Sequence, residues 1–227
     1  MNRISVVMKM YVKDKTTWFI MPWSILSLIF VVNWIISSVL DHPLYTGGFS
    51  YFFIYFMVLG ITSLVFTFPF ALSFSVRRKD FFLGTAAMSI GVSAISAFIF
   101  TLLAIVEKTL SGWGSELHFF NLPYLNDGSL LEQFWVFFAT LLHLYFLGAV
   151  IAGVYVRYSG RGVYILMTIL LLISTICTFF ATRLGWWIDI FHWLKTHTAF
   201  ELASWMGLIA VFYALITYLL LRRATVQ

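Results

Sequence analysis

Charge is what this chain has least of. Asp, Glu, Lys and Arg make up 10% of its 227 residues against 62% hydrophobic ones, and the mean hydropathy is +0.96. So little polar surface cannot cover a soluble globule, which sets aside soluble enzymes and binding modules and points to a membrane protein. Cysteine is nearly absent too: Cys177 stands alone inside an apolar run, so no intrachain disulfide framework exists. There is no GxSxG elbow, no HExxH pair and no GxxxxGKS/T phosphate loop, and His192 and His197 are out of register for one helix face. No catalytic residue, metal-ligand set or cofactor is therefore expected on this chain. The apolar stretches contain no Lys, Arg, Asp or Glu, the groups that ion-coupled carriers hold at membrane depth, which argues against a proton- or sodium-driven transporter. Asn33 and His143, their most polar members, read as interhelical hydrogen-bonding groups.

What the sequence has in abundance is apolar segments of membrane length. Residues 18–39, 51–76, 82–106, 134–156, 163–182 and 202–221 are each long enough to cross about 30 Å of hydrocarbon. The first is too long for a signal-peptide core and lacks a small-residue cleavage site. Pro69 is expected to kink the second. Gly84, Ala87, Gly91 and Ala94 fall on one face of the third, and Ala149 with Gly153 on the fourth, as helix-packing surfaces. Before the first span, residues 1–17 place Ile4, Val7, Met8 and Tyr11 on one helical face and Lys9 and Lys13 on the other. That pattern predicts an interfacial amphipathic helix or, equally, a basic flank that orients the span.

The densest charges, Arg77, Arg78, Lys79 and Asp80, lie between the second and third spans. Lys and Arg in short loops resist translocation, so this connection is expected in the cytoplasm, and both termini with it. Arg3, Lys9, Lys13, Lys15, Arg157, Arg161, Arg222 and Arg223 then fall inside too, leaving Lys108, Arg183 and Lys195 outside. The net charge of +5 is spread between spans instead of forming one stripe, so anionic lipid headgroups suit it better than nucleic acid. The outer connections are 40–50, 107–133 and 183–201. In the second, Asn126, Asp127 and Gly128 predict a turn and the SGWGSE stretch a flexible loop. The third sets Trp186, Trp187 and Trp193 among charges, which predicts an interfacial or re-entrant helix at the outer leaflet before the last span, the alternative being an aromatic belt that anchors the fifth and sixth helices. The fold class is thus an all-α polytopic membrane protein: a single domain of six transmembrane helices and two interfacial ones.

RRKDFFLGT, from Arg77 to Thr85, resembles the cytoplasmic coupling loop of type-2 ABC transporter permeases, and RYSGRGV, from Arg157 to Val163, is similar to their short basic loop between the fourth and fifth spans. The layout of the whole chain is similar as well. The resemblance implies a permease subunit of an ATP-driven exporter in a bacterial plasma membrane, paired with a second permease subunit, identical or paralogous. It implies an ABC ATPase partner that carries ATP and Mg, docking on Arg77, Arg78, Lys79, Asp80, Phe81 and Phe82, with Arg157 and Arg161 as a second contact. An apolar, aromatic interior suits lipids or hydrophobic peptides as cargo. An accessory or scaffold membrane protein and, further off, an intramembrane enzyme are the alternatives.

Overall fold

The computed structural model describes residues 3–40, 42–126 and 128–224, so the turn expected at Asp127 lies partly outside them. The described residues are helical apart from one two-residue strand pair and connecting turns, and five helices are long and apolar enough to cross a membrane. In chain order these elements are α1 (Arg3–Lys13), a π-helical turn (Thr16–Ile20) running into α2 (Met21–Val39), β1 (Leu44–Tyr45), α3 (Ser50–Val65), α4 (Thr67–Ser73), α5 (Arg78–Thr109), β2 (Leu117–His118), α6 (Leu130–Arg183), α7 (Trp186–Thr196) and α8 (Ala199–Arg222).

Caps and breakers set the ends of these helices. α6 and α8 open on capping boxes, Ser129 with Glu132 and Thr198 with Glu201: each hydroxyl accepts from the glutamate N–H and each carboxylate accepts from the cap N–H. Both helices therefore begin ahead of the apolar runs expected at 134 and 202. Pro69 has no N–H to donate and its ring crowds the Val65 carbonyl, and the second span breaks at Phe66 into α3 and α4. It stops at Ser73, short of the expected residue 76.

α6 departs most from expectation. The loop expected from Arg157 to Gly162 is reduced to a kink between two helical arms, where Ser159 alone leaves helical geometry, at φ 59° and ψ −166°. Its first arm runs parallel to α8, because Trp135 bonds Ser204, His143 meets Met206 and Gly153 lies against Leu220. A straight α6 would carry Arg183 roughly 80 Å from Leu130, and the 15 residues back to Ala199 reach about 50 Å at most. Ala199 nonetheless packs beside Leu125 and Val136. α6 is therefore bent, and Ser159 is its one departure from helical geometry.

Phe100 of α5 anchors the core, with the rings of Trp23, Phe49, Phe52, Phe120 and Phe137 between 4.9 and 6.3 Å away. The pairs with Phe49, Phe52 and Phe137 are edge-on, an arrangement that adds about 0.5–1.5 kcal/mol each beyond the area buried. The small-residue face expected along α5 is packed only at its start, where Gly84 receives Val7 of α1. Gly91 has nothing near it, whereas Thr85, Ser89, Ser93 and Ser96 are buried. The closest helix approach is instead α3 on α6, where Gly60 abuts the Tyr145 carbonyl oxygen and Gly148 abuts that of Met57. Gly153 does pack on α8, as its pairing with Ala149 predicts.

Candidate functional site

The charge cluster is the head of a spanning helix, not a separate turn. Arg77 is the extended N-cap, and Arg78, Lys79 and Asp80 form the first turn of α5, a rod of 32 residues and roughly 48 Å. Asp80 suits the positive end of the helix dipole; the two basic residues do not. Arg78 has another partner, since its guanidinium donates to the Arg222 carbonyl oxygen at 2.9 Å and caps the C-terminus of α8. Arg77 and Lys79 are exposed. Phe81 is wholly buried, edge-on to Phe68 at 5.2 Å, and Phe82 is half-buried against Tyr218 at 5.3 Å. The expectation that these two rings form a free docking anchor is therefore corrected: they tie α5 to α4 and α8. Arg157 and Arg161 flank the Ser159 break, the first half-buried with its guanidinium 4.8 Å over the Tyr158 ring, the second exposed.

α1 is seated against this same end of α5. Its apolar face is the expected one, but Val7 and Tyr11 are fully buried against protein: Val7 and the Ile4 carbonyl crowd Gly84. The Tyr11 hydroxyl lies 2.9 Å from Thr85 Oγ1 and 3.5 Å from the Ser63 carbonyl oxygen. Burial pushes its pKa well above the ordinary phenol value, so it remains an O–H donor. Ser63 Oγ donates to the Gly60 carbonyl and so accepts from the Tyr145 hydroxyl, 2.8 Å away. Two buried hydroxyl pairs, Tyr11 of α1 with Thr85 of α5 and Ser63 of α3 with Tyr145 of α6, are thus joined through the Ser63 main chain. Sequence reasoning missed them, because alternating Ser, Thr and Tyr in apolar runs carry no pattern of their own.

At the far end Glu107 sits in the last turn of α5 and is 1% exposed, although carboxylates were expected only outside the spans. Its Oε1 accepts from the Phe119 and Asn121 N–H groups at 3.0 Å each, and its Oε2 from Phe120 N–H at 2.8 Å and Trp113 Nε1 at 2.9 Å. His118 Nδ1 stands 3.8 Å away, its ring stacked on Tyr45. The SGWGSE stretch is consequently a fixed turn instead of a flexible loop. Ser111, Gly112, Trp113, Gly114 and Glu116 all take positive φ, a strained path for the three that are not glycine. The parallel pairing of β1 with β2 and the rings of Phe30, Trp113 and Phe119 complete a cap over the start of α3.

The tryptophan segment is helical, as expected, over Trp186–Thr196. Gly185, at φ 71°, turns it back on the end of α6, so that Trp186 and Ile190 face Ile176, Cys177 and Ala181. Trp187 Nε1 donates to Thr182 Oγ1, and Trp193 lies against His197. All three tryptophans remain about half exposed, as does most of the second arm of α6. Half-buried His143 meets the Met206 carbonyl of α8, whereas Asn33, among the described residues, bonds Ile29 of its own helix. Among the described residues, no three His, Cys, Asp or Glu side chains gather as a metal site would require. Comparison with known proteins finds no matching family model, curated protein or solved structure.

Proposed function

We propose that this chain is the membrane subunit of an ATP-driven exporter of the type-2 ABC permease kind, working with a second permease subunit and an ATPase docked at its basic end. The reading takes α6 as two crossings hinged at Ser159, which gives six spans. Lys and Arg resist translocation, so the end that carries Arg77, Lys79, Arg161 and Arg222 is cytoplasmic. One observation carries the proposal: the exposed charged turn and the crossing helix α5 are a single rod. A push on Arg77 or Lys79 moves α5 as a whole, and Arg78 and Phe82 pass the movement to α8. A membrane chain with no ATP-binding motif of its own needs such a handle if it is to be driven from outside.

The orientation is tested with single cysteines in a Cys177→Ser background. Glu116→Cys and Thr196→Cys should react with an impermeant thiol reagent in intact cells, and Lys79→Cys should not; the reverse pattern overturns the orientation. Docking is tested by mild solubilisation and capture of the chain. An ATPase should come with it, and the double reversal Arg77→Glu, Lys79→Glu should weaken that association about tenfold, since exposed ion pairs contribute roughly 0.2–1 kcal/mol each. The weakening should vary with salt. If the unaltered chain brings down no ATPase, or the reversed variant retains a fully active one, the transporter reading fails. The accessory-scaffold reading then replaces it.

A further inference from the structure

An amphipathic helix of 11 residues has two places to lay its apolar face, and α1 has taken the protein. Helices this short are marginal alone, so α1 is held by what it touches. Its other side carries Lys9 and Lys13, both exposed, which is the pattern that lets a freed helix settle on an anionic bilayer surface. Asp14 joins α1 to the π-helical turn: its N–H donates to the Met10 carbonyl, its own carbonyl accepts from Trp18 N–H, and its carboxylate accepts from Thr17 N–H and Oγ1. α1 therefore has an alternative seat.

Behind α1 the interior is hydroxylic. Thr85, Ser89, Ser93 and Ser96 share one buried face of α5. Ser93 Oγ is wholly buried and has no hydrogen-bond partner among the described residues. A hydroxyl face that leaves one member unsatisfied is poorly suited to a permanent apolar core and well suited to one that is periodically wetted.

We propose that α1 is the latch of an inner gate, a reading that rests on the transport function above. Tyr11 fastens α5 to α3 through Thr85 and Ser63, and Ser63 fastens α3 to α6 through Tyr145. Release of Tyr11 lets α1 move onto the bilayer surface, and water from the basic end then reaches the Thr85, Ser89 and Ser93 face.

The test uses Ser93→Cys in the Cys177→Ser chain, held in lipid nanodiscs, and reads its rate of modification by a charged methanethiosulfonate reagent. The latched protein should react slowly. Tyr11→Phe removes one hydroxyl and keeps the ring, and should speed modification about tenfold, the equivalent of one buried hydrogen bond. Thr85→Val removes the other end and should do the same, which keeps the test valid if either variant folds poorly. Val12→Ala, on the exposed side of α1, should change nothing. Unaltered rates in both latch variants, or an equal rise in the Val12→Ala control, overturn the proposal. No ATPase takes part in this measurement, so the latch and the docking reading can fail separately.

Discussion

Glu107→Ala should unfold the cap over the far end of the bundle while leaving the helices beneath it inserted. The carboxylate is the acceptor for three main-chain N–H groups and one indole, and nothing else on the described residues bonds those four donors. An unsatisfied buried donor costs about 1–3 kcal/mol, and breaking a buried charged cluster about 3–5 kcal/mol. The turn from Ser111 to Glu116 cannot absorb such a loss, because its positive-φ residues are held in place only by what they contact. Phe119 and Phe120 would leave their places beside Phe30 and Phe100, exposing residues 110–126 to protease. Glu107→Gln should fall between the two: the amide oxygen replaces one acceptor atom, and the amide nitrogen meets donors where the other stood. Hydrogen exchange at Phe119, Phe120 and Asn121 should rise in both variants, most in alanine. Native protection in Glu107→Ala would mean that the aromatic rings alone hold the cap.

Much of this architecture is legible in the sequence, and what is not has physical causes. Hydropathy locates the apolar rods because burial in lipid is a property of every residue in a window. It cannot place their ends, which depend on single residues: Ser129 with Glu132, Thr198 with Glu201, and Pro69 acting on Phe66. Nor does it distinguish lipid from protein as the partner of an apolar face. Val7 and Tyr11 lie on the expected face of α1, but that face is turned to α5. The same blindness made Phe81 look like a surface anchor when it is core. Glu107 reads as an outer-loop charge because its four donors come from a turn whose path no periodicity reveals. At the candidate coupling site the sequence finds the charged residues and misjudges which are free: Arg77 and Lys79 are exposed, whereas Arg78 caps α8.

Gly60→Ala and Gly148→Ala should each loosen the bundle more than any other single-methyl addition to these helices. On an exposed helix surface, Gly→Ala favours the fold by up to about 1 kcal/mol, because the glycine backbone is freer when unfolded. Here the sign reverses. A Cβ on Gly60 runs into the Tyr145 carbonyl oxygen, and one on Gly148 into that of Met57. These obstacles are backbone atoms and cannot rotate away, so α3 and α6 must separate. Separation also stretches the 2.8 Å bond between Ser63 and Tyr145, one turn from Gly60. Overpacking costs about 1–3 kcal/mol before that bond is counted. Because both glycines serve one close approach, the double variant should cost less than the two singles together: once the helices have parted for the first methyl, the second finds room. Gly91→Ala, with nothing within 4 Å, should be neutral or stabilising. Melting temperatures in detergent for the four variants decide the matter. Fully additive losses at Gly60 and Gly148 would show that the two contacts are independent, and a loss at Gly91 equal to either would show that close backbone contact is not what the glycines provide.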